Sequence, residues 1–242
     1  MKSFITLEQF TDLIKNVHNV LRIMDIKDNH KSGLVLRHDV DESIDFAYTL
    51  YLSEKSIGVK STFYILLTSD LYNPFSKKNR AYLEKMHIDE FEIGLHFDPL
   101  AYTNVEDSFL IEKFEEEIFI FEKTLDIKLH SYSMHQPSVS GKYINHDKLI
   151  NAYDKELFTI DRYISDSAFT FRGKNLNEYI EKSNHEIIQL LIHPDHLISN
   201  GKISYEPAIQ QLVKNYIENI DSLYHENLIY KQEQNNIKFY IE

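Results

Sequence analysis

The sequence predicts an α/β fold in which helices flank a mostly parallel sheet, open or closed. Three observations carry this. Apolar runs as long as buried strands alternate with amphipathic stretches almost throughout the 242 residues. Four of those runs stop at ionisable side chains: 34–37 before Asp39 and Asp41, 91–97 at His96 and Asp98, 129–134 at His135, and 186–192 at His193 and His196. No Pro-, Gly- or Ser-rich linker, fixed-period repeat or low-complexity tail breaks the pattern, so a single domain over 1–242 is expected.

The elements follow in order. Thr6 and Gln9 form a capping box ahead of Phe10, Leu13, Ile14, Val17 and Leu21 at helical spacing. The strand 34–37 leads into an acidic turn, and Ser43 caps a helix that reaches about Ser56, with Gly58 at its end. Residues 61–67 (Ser-Thr-Phe-Tyr-Ile-Leu-Leu) are β-formers and make the second strand. A helix near 77–87 precedes the third strand, 91–97. Then comes a long helix over 106–125 with Phe109, Lys113, Phe114, Glu117, Phe121 and Leu125 along one side. Its Glu115-Glu116-Glu117 run reads as a solvated face. A fourth strand over 129–134, short elements near 157–164 and 168–172, the apolar strand 186–192, a helix over 206–224 and a strand-like 237–241 complete the chain.

Composition narrows the function. A formal charge of −12 opposes a phosphate backbone, which argues against nucleic acid as a partner. No stretch approaches the roughly 20 apolar residues that span a bilayer, so no membrane span is expected. The first residues lack the apolar core of a secretory signal, and the absence of Cys removes disulfides and thiolate metal sites. Both suit a cytoplasmic protein.

The strand ends carry the chemistry. In extended backbone Asp39 and Asp41 point to the same side, where one carboxylate can hold a cation while the other handles a proton. Helix capping ahead of Ser43 is the alternative reading of the same pair. If the strands are parallel, all four polar ends converge on one face. Carboxylates and imidazoles together suit zinc or a similar divalent ion, and such an ion activates bound water. His18, His30, His87, His130, His146, His185 and His225 lie in helical or loop contexts and read as ordinary.

These motifs resemble the polysaccharide deacetylases of carbohydrate esterase family 4, in a branch with His38-Asp39-Val40-Asp41 in place of the usual Asp-Asp-Gly. The resemblance runs in motif order from Arg37 to about Leu197. It implies a distorted, incomplete β/α barrel and metal-dependent removal of acetyl groups from N-acetylated sugars. It assigns Asp39 as general base and Asp41 as metal ligand. His96 matches the first of two metal-binding histidines, but the second position holds Leu100. His135, in His135-Gln136-Pro137, is then the candidate third ligand, with Asp98 as the other choice. Arg37 or Arg172 would replace the family's base-supporting arginine, each with an ion-pair role as its plainer reading. Leu191-Ile192-His193 matches the last motif, whose histidine protonates the leaving amine. Asp166 stands where the family has the aspartate that orients it, and His196 reads as a surface residue or a support behind the site.

The expectation is therefore a Zn²⁺-dependent hydrolase of an N-acylated saccharide, such as an intracellular precursor of a surface polysaccharide. Two alternatives stand beside it: a degenerate member that binds a saccharide without hydrolysis, and an amidohydrolase of a non-sugar amide.

Overall fold

The structure, a computed structural model, describes residues 3–28, 30–103 and 106–237. From residue 238 onward the expected strand-like stretch 237–241 lies outside them. The described strands pair in parallel throughout: β1 (Val20–Leu21), β2 (Gly33–Val40), β3 (Thr62–Leu66), β4 (Glu92–Phe97), β5 (Ser131–Met134), β6 (Ile150–Asn151), β7 (Tyr163–Ser165) and β8 (Ile187–Leu191). Seven follow the order β6-β5-β4-β3-β2-β8-β7 and curl into a half-barrel. β1 lies beside the first half of β2, pairing Val20 with Leu34, and β3 takes over the same edge from Arg37 onward. The fold is thus the distorted, incomplete barrel that was expected.

Helices α1 (Leu7–Lys15), α2 (Ile44–Ser56), α3 (Lys77–Ile88) and α4 (Asp107–Leu125) alternate with the early strands. The shorter α5 (Pro137–Ser140), α6 (Leu176–Lys182) and α7 (Pro194–Ile198) follow, then α8 (Glu206–Tyr224) and α9 (Leu228–Glu233). The capping box of α1 forms in full, with Gln9 N–H donating to Thr6 Oγ1 at 3.1 Å and Thr6 N–H to Gln9 Oε1 at 3.0 Å. Ser43 caps α2, and Gly58 beyond its end takes φ +74°, a conformation glycine adopts without strain.

Strand alternation gives the sheet two unlike faces. Leu34, Leu36 and Val40 of β2 join Phe63, Ile65, Leu95 and Phe97 against Phe10, Ala47, Leu50, Leu83, Phe114 and Phe121 of the helices. Burying each of these side chains other than Ala47 contributes about 1.5–3 kcal/mol. The concave face is mostly polar: Arg37, Glu92, Ser131, Ser133 and Gln189 are all buried. Glu92 is satisfied there by Ser131 Oγ at 2.6 Å, Thr62 Oγ1 at 2.7 Å and Met24 N–H at 2.9 Å. Gly94 leaves room for the Tyr64 ring, since a Cβ at that position would stand 2.4 Å from it. The open seam between β6 and β7 is filled by the chain between them, which Gln189 Nε2 ties down through the carbonyls of Ala152 and Leu157.

Some expectations shift. The element near 157–164 is the strand Tyr163–Ser165, and 168–172 holds only a short turn of helix, Ser167–Phe169. Glu117 is not solvated: it is buried and accepts from Tyr102 Oη, with burial pushing its carboxyl up to about 7. Helix α4 presents Leu110, Phe114, Glu117 and Phe121 inward, so the face read as acidic was one residue wider than its solvent side.

Candidate active site at the carboxyl ends of the strands

Because the strands are parallel, their polar ends meet on one face, as the barrel rule requires. Asp39, Asp41, His96, His135, Arg172 and His193 all line one cavity of about 270 Å³. A larger cavity, about 880 Å³, lies between α8 and the 71–79 segment, but its lining holds no imidazole.

At the mouth of β2, β4 and β5, three potential ligand atoms turn to a common point. Asp41 Oδ1 is 3.2 Å from His96 Nε2 and 3.4 Å from His135 Nδ1, and the two ring nitrogens are 3.3 Å apart. Burial alone would raise the Asp41 carboxyl, but His135 and His96 hold it well below the usual range. His135 is raised by Asp41 against the opposing effect of burial. Asp41 Oδ1 itself has no well-formed hydrogen bond. The triangle fits a cation: ligands roughly 2.0–2.1 Å from a tetrahedral zinc are separated by about 3.3 Å. Leu100 takes no part, being half exposed on a short turn, and Asp98 caps that turn by accepting from Leu100 N–H at 2.9 Å. Of the two substitutes for the missing histidine, the fold brings His135 to Asp41 and His96.

Asp39 sits deeper, two residues back on β2, and is held by Arg37. The guanidinium donates to Asp39 Oδ2 at 3.0 Å and to Tyr153 Oη at 2.9 Å, and Ser133 Oγ reaches the same carboxylate oxygen at 3.4 Å. Arg37 is fully buried with Tyr153 under its face, 4.6 Å from the ring centroid. Asp39 Oδ1 is buried without a partner, which leaves one oxygen able to accept a proton. Arg172, the other arginine considered, is exposed at the cavity rim. Replacing Arg37 by Met strands a buried carboxylate, so Arg37→Met lowers unfolding free energy by about 3–5 kcal/mol, measured by urea denaturation.

The third group comes from β7 and β8. Asp166 is fully buried and accepts from His193 Nδ1 at 2.6 Å, His196 Nδ1 at 2.8 Å and the His193 N–H at 3.0 Å. Burial works to raise Asp166, yet the charges and hydrogen bonds of both imidazoles bring it down to about 2. Burial works to lower His193, yet Asp166 lifts it well above its ordinary value. With Nδ1 committed to Asp166, Nε2 of His193 faces the cavity, 3.9 Å from Asp41 Oδ2. His196 is not on the surface but is buried behind this pair, against Phe169 at 4.0 Å between ring centroids. Glu42 and Asp195 lie alongside, and burial pushes both carboxyls upward, with their mutual repulsion adding to the shift of Glu42.

Every residue singled out at the sequence level for catalysis or metal binding lies in this region. The supporting Tyr153, Ser133 and Gln189 were not singled out. Ser133 and Gln189 had a signal, since they are polar residues two positions before His135 and four before His193, on the inward phase. Tyr153 had none.

No family model matches the chain, and no curated protein matches it. Among solved structures it is similar to the chitin deacetylase of the fungal pathogen Colletotrichum lindemuthianum, at 11% identity and TM-score 0.45, over 76% of this chain and 83% of that one. It is also similar to a CE4 family pseudoenzyme from Bacillus anthracis, at 16% identity and TM-score 0.43, over 77% of this chain. A mutant CE4 pseudoenzyme with restored enzymatic activity aligns at 12% identity and TM-score 0.43 over the same share. This chain spans less than two thirds of the length of those two pseudoenzyme chains, 62% and 64%.

Proposed function

We propose that this chain is a metal-dependent hydrolase that removes an acetyl or similar acyl group from an N-acylated sugar. The observation that carries the reading is the triangle of Asp41, His96 and His135 donor atoms set between a half-satisfied Asp39 and the Asp166–His193 pair. Asp41, His96 and His135 would hold the ion, zinc by the chemistry of the donor set. When bound there, a divalent cation polarises an amide carbonyl and makes water more acidic. Asp39 Oδ1 takes the proton of the attacking water, while Arg37, donating to Oδ2, keeps the carboxylate aimed. His193 Nε2 gives its proton to the departing nitrogen, and Asp166, accepting from Nδ1, stabilises the imidazolium that carries this proton. Exposed aromatic rings at the rim, Tyr143 and Phe158, offer faces for a sugar ring.

The test is release of acetate or formate from a panel of N-acylated monosaccharides, sugar nucleotides and small non-sugar amides, with and without zinc. Zinc-dependent release from the sugars supports the proposal, and release only from simple amides favours a different amidohydrolase. Saccharide binding without zinc uptake or release of acid favours a binding protein, the reading that Leu100 at the usual histidine position supports.

The pH dependence follows from His193. An acid with a raised pKa stays protonated through its ordinary 6.5 and is lost only as pH rises through the higher value. The alkaline limb of kcat therefore lies above pH 6.5, and Asp166→Asn moves it to lower pH.

A further inference from the structure

β2 carries one more ionisable side chain, which the chemistry above does not use. His38 stands between Arg37 and Asp39, but alternation turns it to the opposite face, beneath α2. His38, Glu54, Ser61 and Ile192 are all fully buried. The imidazole packs 4.7 Å from the Phe63 ring and 6.3 Å from that of Phe10. Such a site tolerates polar groups only when they are hydrogen-bonded. Here His38 Nδ1 is 2.9 Å from Ile192 O, Nε2 is 2.8 Å from Glu54 Oε1, and Ser61 Oγ donates to Glu54 Oε2 at 2.6 Å. A carbonyl only accepts, so Nδ1 carries a proton, and a second proton lies between Nε2 and Glu54.

The consequence appears at the end of β8. Its ladder with β2 ends with Leu191 opposite Arg37, and Ile192 N–H still donates to Arg37 O at 3.1 Å. The Ile192 carbonyl has run past that last pair, and His38 supplies its donor. This carbonyl shares a peptide unit with the N–H of His193, which donates to Asp166 Oδ2 at 3.0 Å. The 192–193 peptide plane is therefore gripped at both ends, by β2 through His38 and by Asp166 just past the end of β7.

We infer that His38, itself held by Glu54, is a positioning residue that clamps this plane and sets the direction in which His193 enters the cavity. One side chain of β2 thus registers the proton donor that follows β8 against Asp39 of its own strand and Asp41 just beyond it. The catalytic half of this inference rests on the reading of His193 as proton donor, whereas the clamp does not.

Two near-isosteric replacements separate the roles of the ring. In His38→Asn the amide nitrogen takes the place of Nδ1 and still meets Ile192 O. In His38→Gln it takes the place of Nε2, reaching Glu54 and abandoning the carbonyl. The readout that needs no substrate is the downfield proton NMR resonance of the His193–Asp166 hydrogen bond, assigned by its loss in His193→Gln. His38→Asn keeps this resonance, while His38→Gln shifts or broadens it. With an N-acylated sugar, His38→Gln also lowers kcat by about tenfold or more at unchanged KM and zinc affinity, as a misaimed acid should. Resonances that change equally in both variants, or in neither, overturn the clamp. A resonance that divides as expected in a protein without hydrolytic activity leaves the clamp standing and removes the hydrolase reading. Should a variant fail to fold, hydrogen exchange of the wild type decides. A clamped His193 amide exchanges as slowly as those of β8, and fast exchange overturns the proposal.

Discussion

Asp41→Ala loses zinc and turnover together. Asp41 Oδ1 is the vertex that touches both imidazoles, at 3.2 and 3.4 Å, and without it His96 and His135 remain as two neutral donors. Altering even a supporting partner of a metal ligand costs about 10–100-fold in affinity, so loss of the anionic ligand exceeds 100-fold. Isothermal titration with zinc measures this directly, and acid release measures the parallel loss of activity. The change also removes the carboxylate that faces His193 at 3.9 Å, so zinc affinity, rather than activity alone, is the deciding readout.

Asp39→Asn gives the opposite split: zinc binding persists, and kcat falls by about 10³-fold, within the range of general acid–base catalysis. The two aspartates differ because of what surrounds them. Asp39 is tied through Oδ2 to Arg37 and leaves Oδ1 unpartnered, which suits proton transfer. Asp41 is tied to two imidazoles, which suits a cation. Full activity in Asp39→Asn would remove the base assignment and leave the metal site untouched. Loss of zinc in Asp39→Asn would mean that the two carboxylates share one role.

The α/β order was legible in the sequence because apolar runs of strand length alternate with amphipathic stretches, and four of those runs lead into ionisable residues. The long helices were legible for the same reason, through the spacing of Phe10 and Ile14 or of Phe114 and Phe121. β1 and β6 were not, since two-residue strands carry no periodicity and are defined only by their neighbours. Glu117 shares the inward side with Phe114 and Phe121, but its burial depends on Tyr102, which the spacing of the helix does not show. The same limit applies within the site. Spacing shows that Asp39 and Asp41 share a side, but His135 meets Asp41 only because β4 and β5 pair in the register His96 to Ser133. Arg37 could be placed near the carboxylates from sequence alone. Its stacking on Tyr153 depends on how the seam between β6 and β7 is filled.

The most direct test of the account is the position of zinc in crystals of the protein, read from anomalous diffraction at the zinc edge. The account predicts a single strong peak bonded to Asp41 Oδ1, His96 Nε2 and His135 Nδ1, with Asp39 close by but not a ligand. A peak among Asp166, His193 and His196, the other cluster of potential ligands among the described residues, would contradict it, as would crystals that take up no zinc.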